Sequence, residues 1–274
     1  MKVKDIEDIE TSKEAMADMQ SQKDTRNIAI DKVGVKGIKH PIEVLDKAKK
    51  VQHTVADINM YVDLPHHFKG THMSRFVEIL SEHSSVISVK NFPEILDRMK
   101  ERFDASTAHL EVEFPYFIER EAPVSKAVGL MDYKCSFMGA HGEDGETDFI
   151  LKVAVPVTTL CPCSKEISDR GAHNQRGLVT VEVRSDEFIW IEDVIEAIEE
   201  TASCPVYSIL KRPDEKYVTE KAYDNPKFVE DMVRDVAVQL GKIKGVTWCK
   251  IEAENFESIH NHSAYAFLEK TYKD

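Results

Sequence analysis

The sequence predicts an α+β protein in which helices cover one face of antiparallel sheets. Two observations support this class. Strand-like alternation and helical apolar stripes occur in both halves of the chain, and in both they follow the order strand–strand–helix–helix–strand–strand. The 274 residues, 42% of them hydrophobic, suffice for two modules with buried cores. We therefore expect a mobile polar tail at 1–27, a first module at 28–145 and a second module at 146–274.

The first module is predicted from its apolar periodicity. Alternation of apolar and polar residues predicts strands at 58–64, 110–116 and 131–137, whereas the strand that should precede 58–64 is not located. Apolar residues at helical spacing predict two helices between the first two of these strands. They are marked by Met73, Phe76, Val77 and Leu80, and by Phe92, Ile95, Leu96, Met99 and Phe103, with a short connection near 84–91.

The second module repeats the pattern and adds two irregular segments. Strands are predicted at 149–157, 178–184, 246–256 and 263–270, with helices at 191–198 and 229–240. Asn225-Pro226 is expected to begin the second helix, and Gly241 to end it. The segment 158–177 is too long for a plain hairpin, and 201–225 is expected to be a structureless connection. Because long connections in compact modules usually have a function, we look for the chemistry in this half.

Charge and cysteine content limit the classes of partner. The chain has 36 basic and 49 acidic residues, a formal net charge of −13, which disfavours binding to nucleic acid or to an anionic membrane. No apolar run approaches the roughly 18 residues of a membrane span, and the N-terminus is too polar for a signal peptide. Five cysteines, an odd number, argue against a disulfide framework. These features predict a cytoplasmic protein with free thiols.

Cys161, Cys163 and His173 are candidate metal ligands in the segment 158–177. Thiolate and imidazole are preferred ligands of zinc and related divalent ions. A C-x-C unit is nevertheless a weak signal, and no second cysteine pair follows at the spacing of a zinc finger. From these residues alone, loop thiols without a partner remain an open interpretation.

Three further candidates carry two interpretations each. His260 and His262, in HNH, are either exposed loop histidines or site residues, and Glu215, in RPDEK, is either a solvated acid or a ligand. Neither alternative is excluded by the residues themselves.

Glu230 and the block KGTHMSRF suggest nucleotide recognition. Glu230 could complement a helix macrodipole, or its carboxylate could accept two hydrogen bonds from a guanine edge. Lys69, Ser74 and Arg75 stand at the start of the first predicted helix, where backbone donors and basic side chains suit a phosphate chain. Ordinary helix capping with exposed basic residues is the alternative for this block.

Taken together, several blocks resemble the prokaryotic GTP cyclohydrolases of the IB type: PVTTLCPCSKEISDRGAHNQRG, KGTHMSRF, RPDEKYVTE, NPKFVED and HNHSAYA. The resemblance runs from about residue 28 to the end of the chain. It implies the tunnelling fold, in which each subunit carries two tandem ββααββ-like modules and the antiparallel sheets of several subunits assemble into barrels. It also implies a homotetramer with active sites at subunit boundaries.

The resemblance assigns roles to individual positions. It implies that Cys161, in preference to Cys163, is the catalytically important cysteine. The metal-site positions of the family match Cys161, His173, Glu215 and His260, and the glutamate that anchors the purine matches Glu230. Lys69, Ser74 and Arg75 are similar to a phosphate-binding helix start. The implied cofactor is a divalent metal ion, and these ligand types leave zinc, manganese and iron open.

The implied reaction is a hydrolysis without redox chemistry. Water activated by the metal attacks C8 of the guanine of GTP, the imidazole ring opens, and a second hydrolysis releases formate. The sugar then rearranges and closes onto the pyrimidine to give 7,8-dihydroneopterin triphosphate, the first step of folate and pterin biosynthesis. His262 is a candidate general acid for N7 and N9.

Two alternatives remain at this point. One is a tunnelling-fold enzyme that uses Cys161 as a covalent nucleophile, like the nitrile reductases, and the other is a non-enzymatic, metal-bound assembly module that binds a purine.

Overall fold

A computed structural model describes residues 20, 22–82, 91–142 and 145–272. Most of the expected tail, and the expected connection near 84–91 except for Asn91, lie outside the described residues. In chain order the elements are β1 (Ile30–Asp46), β2 (Lys50–Leu64), α1 (Ser74–Glu82), α2 (Phe92–Phe103), β3 (Ala108–Glu121), β4 (Val128–His141), β5 (Thr147–Leu160), α3 (Pro162–Ile167), β6 (Asn174–Ser185), α4 (Ile191–Glu199), β7 (Cys204–Pro205), α5 (Arg212–Asp224), α6 (Val229–Leu240), β8 (Val246–Asn255) and β9 (Ala264–Thr271).

All nine of these strands belong to one antiparallel sheet. The strand order is β1-β2-β3-β4-β5-β6-β8-β9, and the two-residue β7 pairs with the end of β5. Because β4 pairs with β5, from Lys134 opposite Ala154 to His141 opposite Thr147, the two halves share one continuous sheet. The α+β class and the antiparallel strands are confirmed. The division into modules at residue 145 stays a prediction.

The core lies between one face of the sheet and the helices. Alternate residues of each central strand are buried, as Ile58, Met60 and Val62 are in β2. Helix α2 approaches β4 so closely that a Cβ at Gly139 would lie 2.2 Å from the Phe92 ring. Apolar burial of this kind contributes roughly 1.5–3 kcal/mol for each large side chain. The opposite face of the sheet carries polar and charged residues.

Helix α4, in the second half of the chain, forms hydrogen bonds with strands β3 and β4 of the first half. The Tyr116 hydroxyl donates a hydrogen bond to Glu192 Oε1 at 2.6 Å, and the Tyr133 hydroxyl donates one to Glu199 Oε1 at 2.6 Å. Arg120 completes the second cluster with an ion pair to Glu199 at 2.6 Å. Burial and the Glu199 carboxylate raise the pKa of Tyr133 above its ordinary value, which makes loss of the hydroxyl proton still less favourable.

Two sequence-based expectations about the second half are corrected by the structure. The segment 201–225 is not structureless, because it contains β7 and the 13-residue helix α5. Asn225-Pro226 does not begin a helix: Asn225 is the C-cap of α5, and α6 begins at Val229 after the N-cap Phe228. The missing first strand is β1, and Gly241 is the C-cap of α6 as expected.

The described end of the expected tail pairs with the first half. Lys23 forms an antiparallel bridge with Phe68, and the backbone of Asp24 donates a hydrogen bond to His67. Residues 22–24 are therefore held in place, in contrast to the mobile tail expected over 1–27. Among the helices that the structure describes, none is long and apolar enough to span a lipid bilayer.

Candidate functional site

A cleft of about 330 Å³ lies at the end of the sheet where β5 leads into α3. Its walls come from the connection between β5 and β6, the start of α6 and the β8–β9 loop. It is lined by Cys161, His173, Gln175, Lys227, Phe228, Val229, Glu230, Asn255, Glu257, His260, His262 and Ala264. Five of the predicted site residues thus share one cleft, although they span 102 positions in sequence (262 minus 161, plus one).

Cys161 is the N-cap of α3, and Pro162 begins the helix. The Ser164 backbone N–H donates a hydrogen bond to Cys161 Sγ at 3.4 Å, which holds the thiol at the helix start. Cys163 is exposed on the helix and does not line the cleft. The remaining three thiols, Cys135, Cys204 and Cys249, are buried, and burial raises the pKa of each, which disfavours the thiolate.

The backbone holds His173 next to Cys161. The N–H of Cys161 donates a hydrogen bond to the His173 carbonyl at 3.1 Å. Ser164 Oγ bonds to both residues, donating to the Cys161 carbonyl at 3.1 Å and accepting from the His173 N–H at 3.2 Å. These three hydrogen bonds join the two ends of the loop 161–173, so that the two predicted ligands lie next to each other in the cleft.

The His173 ring contacts two residues that the sequence analysis did not identify. Its Nδ1 lies 3.0 Å from Gln175 Oε1 and 3.7 Å from Glu257 Oε2. Gln175 is the second residue of β6, and His173 directly precedes this strand, which the sequence analysis began only at residue 178. Glu257 reaches the cleft from the β8–β9 loop, and no sequence pattern marks it. Lys227 and Asn255 also line the cleft and were not predicted.

His260 and His262 lie in the β8–β9 loop, and their rings stack. The ring centroids are 5.0 Å apart with an interplanar angle of 19°. Both histidines line the cleft and both are exposed in the single chain. The loop is anchored at its start, where the Phe256 N–H donates a hydrogen bond to the Arg176 carbonyl at 2.9 Å.

Glu230 lies in the first turn of α6 and lines the same cleft. Its position there depends on the preceding loop, which the Lys227 N–H attaches to the end of β5 by donating to the Leu160 carbonyl at 3.0 Å. Asp231, the next residue, accepts a hydrogen bond from the Phe228 N–H at 3.1 Å. Asp231 therefore caps the helix, whereas Glu230 faces the cleft.

Four predicted residues do not line the cleft in the single chain. Glu215 is exposed on α5, next to the fully buried Asp214. Ser74 is the first residue of α1. Lys69 and Arg75 flank it, and the Lys69 Nζ donates a hydrogen bond to Gln22 Oε1 at 3.3 Å. These residues belong to other surfaces of the molecule.

The donor types in the cleft fit a divalent metal ion. Cys161 offers sulfur, and His173, His260 and His262 offer imidazole nitrogen, the combination that zinc and related ions prefer. Nδ1 of His173 already has an oxygen neighbour, which leaves Nε2 for a metal. Within the described ranges, no three His, Cys, Asp or Glu side chains form a group that could hold a metal ion.

Solved structures identify the class of fold. The chain resembles a highly active BTUO mutant with a TM-score of 0.52 and 7% identity, covering 89% of this chain and all of the other. It resembles a hyper-thermostable AgUricase mutant with a TM-score of 0.51 and 8% identity, covering 89% of this chain and 92% of the other. The protein is a tunnelling-fold protein, as the resemblance implied.

Sequence comparisons identify the family within this class. Residues 16–266 match the model of the type I GTP cyclohydrolase folE2 family, a match that starts before the expected boundary near residue 28. GTP cyclohydrolase FolE2 of Syntrophotalea carbinolica is 64% identical over 93% of this chain and 95% of its own length. GTP cyclohydrolase FolE2 of Geotalea uraniireducens is 60% identical over 94% and 95%. The chain belongs to the type I GTP cyclohydrolase FolE2 family.

Proposed function

We propose that this chain is a GTP cyclohydrolase I that hydrolyses the guanine ring of GTP in the cleft of Cys161 and His173. The products are formate and 7,8-dihydroneopterin triphosphate, and the reaction is the first step of folate and pterin biosynthesis. Family membership supports the activity, and the convergence of Cys161, His173 and Glu230 on one cleft supports its location. No observation favours the nitrile-reductase-like or the non-enzymatic alternative.

Glu230 is proposed to bind the guanine base. A carboxylate can accept hydrogen bonds from both N1–H and the exocyclic amine of guanine, one on each oxygen. A glutamine amide of the same size has only one acceptor oxygen. In this role Glu230 orients the base so that its five-membered ring points toward Cys161 and His173. Glu230 is exposed in the single chain and lines the cleft, so its side chain is accessible to a ligand there.

His262 is proposed as the proton donor to the purine nitrogens, and His260 as a metal ligand. The two rings stack in one loop at the edge of the cleft, so one can bind a metal while the other faces the leaving nitrogen. Cys161, His173 and His260 would hold the divalent metal ion, although their side chains do not form a ligand cluster in the described part of the single chain. When bound, that ion supplies Lewis-acid activation of water.

Glu215, Lys69, Ser74 and Arg75 are proposed to reach the site from a neighbouring subunit. The described residues of one chain form no metal-ligand cluster, and Glu215 is exposed on α5 away from the cleft lining. Basic side chains at the start of α1 would provide the positive charge that a triphosphate requires and that the acidic chain lacks overall. This arrangement needs a homo-oligomer, which we propose to be a tetramer in the cytoplasm.

Formate release tests the proposed function. Purified protein is stripped of metal, reloaded separately with Zn²⁺, Mn²⁺ or Fe²⁺, and mixed with GTP. We expect formate and a fluorescent pterin after oxidation, in equal amounts, with at least one of the three ions. A protein that binds GTP and metal but releases no formate with any of them would contradict the proposal.

A further inference from the structure

The His173 ring can present either of its nitrogens to the cleft, and its neighbours decide which. A neutral imidazole carries a proton on one nitrogen and a lone pair on the other. Only the nitrogen with the lone pair can bind a metal ion or accept a proton. The tautomer of His173 therefore determines whether the cleft receives a donor or an acceptor.

Gln175 is built into the sheet next to this ring. It is 7% exposed and pairs across the strands with Thr159, which is fully buried. Its Oε1 lies 3.0 Å from His173 Nδ1, and its Nε2 donates a hydrogen bond to Thr159 Oγ1 at 2.9 Å. Both ends of the amide are thus engaged, so the ring is tied to a rigid strand pair.

The amide alone does not fix the tautomer, because the Thr159 hydroxyl can accept or donate. Glu257 removes this ambiguity. Its Oε2 lies 3.7 Å from His173 Nδ1, and the two side chains are each only 14% exposed. A carboxylate at this distance repels a lone pair on Nδ1 and attracts a proton there. In the neutral ring the proton therefore lies on Nδ1, which donates to Gln175 Oε1, and Nε2 carries the lone pair.

We propose that Gln175 is a positioning residue that holds His173 in the Nδ1–H form and presents Nε2 to the metal site, with Thr159 fixing the amide and Glu257 setting the direction of the bond. The inference rests on the proposed function, since it assigns a support to one of that site's ligands. It also connects the cleft to the loop of His260 and His262, because Glu257 belongs to the same loop.

Zinc affinity in three variants tests the inference. Zn²⁺ binding to the metal-free protein is measured by competition with a chromophoric chelator. Gln175→Met keeps the side-chain length but removes the acceptor, and we expect an affinity about 10–100-fold lower. Gln175→Glu restores an acceptor and should retain the wild-type affinity within a few-fold. Thr159→Val, which releases the amide, should give a smaller loss than Gln175→Met.

Gln52→Met provides the matched control. Gln52 is also engaged at both ends, since its Nε2 donates to the Phe117 carbonyl at 2.8 Å and its Oε1 accepts from the Phe117 N–H at 2.7 Å, but it does not line the cleft. Gln52→Met should lower the melting temperature without changing the zinc affinity. An equal loss of zinc affinity in Gln52→Met and Gln175→Met would overturn the inference.

A spectroscopic measurement reports the tautomer directly. In metal-free protein with ¹⁵N-labelled histidine, assigned by comparison with His173→Gln, we expect a protonated Nδ1 and an unprotonated Nε2. The opposite assignment would overturn the inference even if the wild type releases formate. Conversely, absence of formate release from a wild type with the expected tautomer would contradict the proposed function alone.

Discussion

Cys161 and Cys163 are two residues apart, yet the helix that begins between them gives them different surroundings. Cys161 is the N-cap of α3 and lines the cleft, whereas Cys163 is exposed on the helix. The motif C-x-C could not distinguish the two thiols, because it specifies spacing and not direction. Family resemblance selected Cys161, and the cap geometry gives a physical reason for that choice.

Substitution of each cysteine in turn tests which of the two thiols binds the metal. Cys161→Ala should abolish turnover and lower the metal content, because the cleft loses its only sulfur donor among the described residues. Cys163→Ala should retain substantial activity and the full metal content. Elemental analysis and formate release measure both effects. An inactive Cys161→Ala protein with normal metal content would instead favour a nucleophilic role for the thiol.

Glu230 allows a comparison with its neighbour in the same turn. If Glu230 binds the guanine edge, Glu230→Gln places a donor opposite a donor and should cost about 2–4 kcal/mol, roughly thirty- to a thousand-fold in kcat/KM. The fold, the oligomer and the metal content should be unchanged.

Asp231→Ala is the control for Glu230, since Asp231 accepts the Phe228 N–H and so caps α6. It should lower the unfolding free energy by about 0.5–2 kcal/mol and leave kcat/KM close to that of the wild type. Near-wild-type kinetics of Glu230→Gln with a slightly lower melting temperature would assign Glu230 to the helix as well.

Gln175 and Glu257 are two site residues that could not be predicted from the sequence. A metal-ligand histidine needs an acceptor for its second nitrogen, but a carbonyl, an amide or a carboxylate can all serve. The sequence therefore predicts that such a partner exists without identifying it. Glu257 is 84 positions from His173 (257 minus 173), and only the return of β8 beside β6 brings them together.

At the scale of elements, α5 was missed because it lacks the apolar stripe from which helices are predicted. Among its described residues only Asp214 and Ala222 are buried. The helix is fixed by polar contacts: Asp214 accepts hydrogen bonds from the Val124 and Ser125 N–H groups, the Ser125 hydroxyl and the Lys211 N–H, at 2.6–2.8 Å. Tertiary capping, and not periodicity, determines where α5 lies.

Removing this carboxylate should release α5 from the β3–β4 turn. Burial raises the pKa of Asp214, but the hydrogen bonds from Ser125, Lys211 and Val124 outweigh it, so the pKa lies below its ordinary value. The stabilisation is therefore complete above the unfolded pKa of about 3.9 and is lost as pH falls through the lower folded pKa. We expect Asp214→Asn to melt at a lower temperature than the wild type, by an amount that is constant from pH 8 to about 5 and shrinks below about pH 4.

The exposed Glu220 of the same helix is the control for this measurement. Glu220→Gln should change the melting temperature little across the same pH range, because its ion pair with Lys216 is exposed. A difference between wild type and Asp214→Asn that widens in acid would contradict the assigned direction of the pKa shift.

Strand β1 was not located because its alternation is interrupted. Its pairing with β2 shifts register between Val35 and Ile38, and Gly37 adopts a positive φ of 70° there. The Gly37 N–H donates a hydrogen bond to Asn59 Oδ1 at 2.9 Å, which satisfies the backbone at the irregularity. A bulge reverses the inward and outward sides of the following residues, so a period-two search fails across it.

For the whole molecule, the sequence predicted the class and the order of most elements, because both depend on local periodicity. It did not predict how the halves are joined. The contacts of α4 with Tyr116 and Tyr133 link residues 66 to 76 positions apart through polar atoms that leave no periodic trace. The proposed assembly would be a further step of the same kind, because Glu215, Lys69, Ser74 and Arg75 do not line the cleft of the described single chain.

Mixing two inactive variants tests whether subunits share that site. Cys161→Ala and Glu215→Ala subunits, each carrying a different tag, are co-expressed and purified through both tags in turn. If Cys161 and Glu215 of different subunits build one site, random mixing restores both groups in about a quarter of the sites, since each intact residue is present with a probability of about one half. Formate release should therefore recover to about a quarter of the wild-type rate, although each variant alone is inactive. Light scattering of the same samples should show an oligomer. Hybrids that stay inactive and bind no metal would place both residues within one chain. A monomer that hydrolyses GTP would exclude a shared site altogether.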